Sequence, residues 1–208
     1  MRLLFTIPVI FLYLISFGQA RDEDLIRQAF NDYKSAILSD KADEALKVID
    51  SRTKKYYRDI LNDVKAADSV KINTLPLIDK ITILGIRAKA KKNEIVEMKD
   101  ADAFLFAIKN GMVGKNGVVD ASIGQVIVDT TFAKGKLISA GEESSIYFNF
   151  YKEAGNWKLD LTALFLLSNQ ALKKMIEATG KSENDLLIEI LESLTGKKVG
   201  SDIWKPIM

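Results

Sequence analysis

Apolar and polar positions follow two different periods along this chain, and the period changes once. Between residues 22 and 38 the apolar positions Leu25, Ile26, Ala29, Phe30, Tyr33 and Ile37 fall at helical spacing, with Asp22, Glu23 and Asp24 in the first turn. That stripe predicts an amphipathic helix whose acidic start suits the helix dipole. A second, shorter helix is predicted over 42–49, with Ala42, Ala45, Leu46 and Ile49 on one face. A third begins at Ser51, placed as its N-cap, and turns Tyr57, Ile60, Leu61, Val64 and Ala67 inward. Residues 75–90 suit a helix opened by Pro76, although the run Ile81 to Ile86 also reads as a strand; the helix is preferred. Asp100 is placed as the N-cap of a helix through Phe104, Leu105 and Ile108 that Gly111 stops.

Past the glycine-rich loop at 111–117 the period shortens to two. A strand is predicted over 122–132, with Lys134-Gly135 as its turn. A cleaner alternation follows over 144–151, where Ile146, Phe148 and Phe150 oppose Tyr147, Asn149 and Tyr151. A short loop leads to Trp157-Lys158-Leu159-Asp160-Leu161, with Trp157 and Leu159 inward and Asp160 on the polar face. Connections this short predict an antiparallel meander of three or four strands and disfavour parallel crossovers. Two helices close the pattern, one ending at Gly180 and one capped by Ser182, and the apolar tail with Ile203 and Trp204 is expected to dock on the body.

The extreme N-terminus reads differently. Arg2, the apolar run from Leu3 to Phe17 and the ending Gly18-Gln19-Ala20 have the form of a cleavable secretory signal peptide. The division expected is therefore a signal over 1–20 and one α+β domain over 21–208: helical over 22–110, meander over 118–162, helices over 163–196 and a docked tail over 197–208. The localisation expected is periplasmic or secreted, in the manner of a bacterial envelope protein.

Composition then narrows the chemistry. The chain has neither Cys nor His, so a lipoprotein anchor, disulfides, thiol chemistry and a His-Asp pair are excluded. Thirty Lys and Arg against 28 Asp and Glu leave a formal charge of +2, too small and dispersed for a nucleic-acid footprint. No metal site or cofactor is predicted: the carboxylate clusters at 22–24 and 142–143 sit at a helix start and a turn. Ser51-Arg52-Thr53-Lys54 has a Ser-x-x-Lys spacing without the motifs that accompany it in penicillin-binding enzymes, and Gly180-Lys181-Ser182 is explained by helix caps.

The stretch Phe148-Asn149-Phe150-Tyr151-Lys152-Glu153-Ala154-Gly155-Asn156-Trp157-Lys158-Leu159-Asp160-Leu161 resembles the terminal hairpin of secreted NTF2-like domains. The resemblance implies N-terminal helices packed on a curved antiparallel sheet to form a cone, with two additional helices at the C-terminus. It also implies a superfamily containing enzymes, ligand carriers and partner-binding modules. With the usual catalytic side chains missing, the expected role is non-catalytic binding of a small apolar ligand or a protein partner in the cell envelope. The alternative is a ketosteroid isomerase-like or hydrolase-like pocket enzyme using Asp and Tyr. Candidate ligand-binding residues are Tyr33, Arg87, Asp129 and Trp157, with Arg87 singled out as a guanidinium within an apolar helix. No mature membrane span is predicted, and a homodimer through the sheet is possible.

Overall fold

The computed structural model describes residues 8–112 and 115–208, with the side chains of residues 8–19 and Asn116 excepted. Residues 1–7 of the signal-peptide reading lie outside those residues; the remainder, from Pro8, is continuous with the first helix, so Asp22, Glu23 and Asp24, expected in the first turn, lie well inside that helix instead. The described chain runs α1 (Pro8–Leu38), α2 (Ala42–Val48), α3 (Ser51–Ala66), α4 (Ser69–Asn73), α5 (Leu77–Lys89), α6 (Lys92–Glu97) and α7 (Asp102–Lys109), then β1 (Ala121–Asp129), β2 (Phe132–Ser139), β3 (Glu142–Glu153) and β4 (Asn156–Asp160), and finally α8 (Phe165–Thr179) and α9 (Glu183–Thr195). The four strands form one antiparallel sheet in sequence order. The fold is thus α+β, with an antiparallel meander between two groups of helices. Among the described residues, no helix is long and apolar enough to cross a membrane.

The core lies between the helices and the inner sheet face. Phe30 of α1 meets Phe148 of β3 with ring centroids 5.1 Å apart, and Phe150 and Leu159 are fully buried beside them. On each edge strand some backbone groups are taken up by the helices or their connections, which leaves fewer to pair with another chain. On β1, Lys34 donates to the Ala121 carbonyl at 2.9 Å and Arg27 to that of Gly124 at 3.1 Å. On β4, Ile49 pairs with Leu159 in a single parallel bridge, and the Asp50 N–H donates to the Leu159 carbonyl.

Several local expectations are corrected. Lys134-Gly135 is not a turn but the middle of β2; the hairpin is made by Thr130 and Thr131, with Thr130 at a φ of 38°. Gly135 is needed for space rather than for turning, since a Cβ there would lie 2.6 Å from Ile123 Cγ2 and 3.1 Å from a Phe150 ring carbon. The N-cap of α3 is Asp50, whose buried carboxylate accepts from the Thr53 N–H at 2.8 Å; Ser51 instead gives its N–H and hydroxyl to Glu153. α7 starts later than expected, and Asp102 rather than Asp100 accepts a backbone N–H, that of Lys99. Asp160 is buried, not on a polar surface, because it ends β4 by accepting from the N–H and hydroxyl of Thr162 at 2.9 and 2.6 Å. α4 and α6, too short to show a periodic stripe, have no counterpart in the sequence reading.

The C-terminal helices differ in how they are held. α9 buries Leu186, Leu187 and Leu191, and its Glu183 pairs with the almost fully buried Lys80 of α5. α8 buries no residue completely and leaves Leu166, Leu167 and Met175 exposed. Gly180 and Gly196 end the two helices at φ of 64° and 68°, where a side chain would be strained. After α9 the chain returns to α3: Ile203 is buried, Trp204 is half-buried, and the N–H groups of Ile207 and Met208 donate to the Lys65 carbonyl.

Candidate functional site

A cavity of about 380 Å³ lies between α1, α3, α5, the loop before β1, β3 and the start of α8. Its position follows from sequence patterns that each face inward separately. Tyr33 comes from the apolar stripe of α1, and Tyr56 and Tyr57 come from successive positions of α3. Ile78 and Thr82, one turn apart on α5, form a second wall, and Phe148 closes the sheet side. Leu164, Phe165 and Ser168 roof it from the α8 end, while Met112 and Val118 reach it across the loop between helix and sheet. Met112 approaches because α5 has Gly85 there: a Cβ would stand 2.7 Å from the Met112 methyl.

The lining is apolar except for hydroxyls, and these fall into two groups. Thr82 and Ser168 donate to carbonyls one turn back in their own helices, and Tyr56 donates to Asp79 Oδ1 at 2.7 Å. Tyr33 and Tyr57 are 4 % and 8 % exposed, and neither hydroxyl has a partner among the described residues, where no fully buried side-chain N or O is left unsatisfied. Their rings border the cavity, and their O–H groups open on it. Burial pushes the Tyr57 phenol up to about 12. Burial also raises Tyr33 well above the ordinary phenol range, and the neighbouring Tyr57 adds to the shift. Tyr56 is raised by burial and then by the charge of Asp79. All three are neutral hydroxyls at any ordinary pH; Tyr56 spends its proton on Asp79, and Tyr33 and Tyr57 keep theirs to donate.

Aromatic contacts stiffen this wall. Tyr56 and Tyr57 meet edge to face at 5.1 Å, Tyr57 meets Phe104 at 4.9 Å, and Phe165 of α8 lies 4.5 Å from Tyr56. α8 is fastened above by Asn169, whose Oδ1 accepts from the Ile78 N–H at 2.9 Å, at the start of α5. Asp79 stays behind Tyr56; burial raises its carboxyl, against the lowering by the Tyr56 hydrogen bond.

Of the four residues singled out from sequence, the cavity includes Tyr33 alone. Arg87 faces away: its guanidinium donates to the carbonyls of Asp63, Val64 and Ala67 at the end of α3 and to that of Ile203 in the tail, at 2.6–3.0 Å. Asp129 is exposed at the β1–β2 hairpin, where the Thr130 hydroxyl donates to it. Trp157 is buried against the start of the domain, its indole N–H donating to Asp22 at 2.9 Å beside Lys152. That hydrogen bond is the first cause holding the Asp22 carboxyl below its usual range. Tyr57, Phe165, Thr82 and Ser168 were not singled out as ligand-binding residues. For Tyr57 the signal was present, as an inward phenol on α3; for Phe165 and Ser168 it was not, because nothing in the α8 stripe tells which partner its inner face meets.

No carboxylate lines the cavity among the described residues, and no group of three or more Asp or Glu is placed to hold a metal ion. In comparisons with known proteins, no family model matches the chain, and no curated protein or solved structure is significantly similar to it.

Proposed function

We propose that the protein is a non-catalytic binder that holds a small, largely apolar molecule in the cavity between α1, α3, α5, β3 and α8. The observation that carries this reading is a pair of nine-tenths buried tyrosines, Tyr33 and Tyr57, whose hydroxyls have no partner among the described residues and face that space. Chains seldom bury two phenols without giving their O–H groups somewhere to bond, and a polar atom of a ligand, or water in its absence, supplies it. The volume is that of about a dozen waters and falls within the range of small-molecule sites, about 300–1,000 Å³. A pocket enzyme working through Asp and Tyr would need a carboxylate at the reacting atom, and Asp129 and Asp160 are committed elsewhere. The signal-like residues 1–20 and the resemblance to NTF2-like domains extend the proposal to a carrier working in the cell envelope.

The test is binding of the neutral fluorophore N-phenyl-1-naphthylamine to purified protein, with native mass spectrometry for any molecule that co-purifies. Saturable fluorescence enhancement that is lost in Ser168→Phe, which fills the cavity from the α8 side, is the expected result. Enhancement that survives Ser168→Phe unchanged would move binding to another surface, and no enhancement at all would end the carrier reading.

A further inference from the structure

We infer that the ligand is electrically neutral and carries an oxygen that accepts hydrogen bonds, a ketone, ester or alcohol on an apolar body, which Tyr33 and Tyr57 grip together. This rests on the cavity being the binding site. Among the described residues the lining includes no Asp, Glu, Lys or Arg, so a carboxylate or an ammonium would lose its hydration there without gaining a counter-charge. Two further hydroxyls of the lining, those of Thr82 and Ser168, have their protons occupied by helix carbonyls, and the Tyr56 proton is occupied by Asp79. The protons left over are those of Tyr33 and Tyr57, one from α1 and one from α3.

Both are donors to a ligand, and one oxygen atom with two lone pairs is the group that accepts from two donors at once. The same chemistry fixes where the molecule points. Its oxygen lies at the α1–α3 wall, and its apolar body runs past Phe148 toward Leu164 and Phe165 under the α8 roof. Since the two phenols stay protonated through the ordinary pH range, the grip itself does not titrate there. Asp79, which titrates behind Tyr56, holds that hydroxyl and not the ligand, so the pH dependence that separates a charged ligand from a neutral one comes from the ligand.

The experiment is displacement of N-phenyl-1-naphthylamine by a nonyl series of equal length: 2-nonanone, 1-nonanol, nonanoate, nonylamine and nonane. At neutral pH the ketone and the alcohol should displace at concentrations at least about tenfold below those needed for the carboxylate and the ammonium. Nonanoate should improve as pH falls toward the acid's own pKa, while 2-nonanone stays flat. In Tyr33→Phe and Tyr57→Phe the ketone should weaken about three- to tenfold each, with nonane unchanged. The phenylalanine rings keep the packing, so both variants remain informative about the hydroxyls. Equal affinity for ketone and carboxylate, or a ketone indifferent to both substitutions, would overturn this inference while leaving the cavity as the site. Absence of fluorophore binding by the wild type would instead remove the functional proposal beneath it.

Discussion

Two polar clusters are buried in the helical half of this protein, and they are finished in opposite ways. At one end of α3, Arg87 spends four of its five N–H groups on backbone carbonyls. Three of those carbonyls belong to the last turn of α3 and its cap, where positive charge is favoured; Asp63 also accepts the Ala67 N–H, while Val64 and Ala67 take none from the helix. Nearer the middle of α3, Tyr57 and the facing Tyr33 are as deeply buried, but their hydroxyls meet no group of the described chain. A buried cation completed by the backbone is architecture, and buried donors left open toward a cavity are an invitation to another molecule. The same helix carries both, which lets substitutions be compared within one packing environment.

The comparison is tested most severely at Arg87. Arg87→Ala strands the Val64 and Ala67 carbonyls at the α3 terminus and the Ile203 carbonyl that ties down the tail, leaving Asp63 its bond from the Ala67 N–H, so about 3 kcal/mol of stability should go. Denaturant unfolding measures this, and limited proteolysis should show the segment after Gly196 opening first. If Arg87→Ala costs little but abolishes fluorophore binding, Arg87 belongs to the site and the contrast collapses.

Alkaline unfolding probes the tyrosines together. In the unfolded chain phenols ionise near pH 10, whereas the folded Tyr57 holds its proton to about 12 and Tyr33 and Tyr56 hold theirs still higher. Above the unfolded value the unfolded state releases protons first, so stability is whole below about pH 10 and declines as pH climbs through the folded values. Tyr57 alone accounts for about 2–3 kcal/mol of that decline by pH 12. A transition flat between pH 9 and 12 would mean that the phenols are already in contact with bulk water.

Tyr56 is intermediate, a cavity tyrosine with its proton already spent. Tyr56→Phe leaves the half-buried Asp79 carboxylate without its O–H donor and should cost about 1–2 kcal/mol. Since that hydrogen bond lowers Asp79 against the lift from burial, its removal should raise the Asp79 pKa, which carboxyl NMR shifts on acid titration would report.

How much of this was legible from residues alone depended on whether the signal was local. The C-terminal helices, the glycine stops at Gly180 and Gly196 and the alternation around Phe148 and Phe150 are written in neighbouring positions, and they appear where the periodicity puts them, whereas the first helix begins at Pro8, ahead of the acidic residues read as its first turn. β2 was misjudged at Gly135 because a glycine that makes room for Ile123 and Phe150 looks the same in sequence as one that turns the chain. Arg87 was misread for a similar reason. An arginine in an apolar helix announces buried charge, but whether it meets a ligand or the end of α3 depends on contacts 20 to 24 residues away. Tyr33 was identifiable as an inward phenol, while its partnership with Tyr57 and the roof from Phe165 needed three separate elements to converge.

The smallest expected effect on stability is the one that decides between architecture and invitation. Tyr57→Phe keeps the ring against Phe104 and Tyr56 and removes only a hydroxyl that bonds to no described group. In the ligand-free protein that hydroxyl exchanges one water contact for another, so the change should stay within about 0.5 kcal/mol of the wild type. Tyr33→Phe should behave alike. With 2-nonanone present the wild type should gain thermal stability through binding, and both variants should gain less. A loss of about 2 kcal/mol in the ligand-free state would mean that the hydroxyl has a partner within the chain itself. Tyr57 would then stand beside Arg87 as a satisfied structural group, and the cavity would lose the donor that makes it a site.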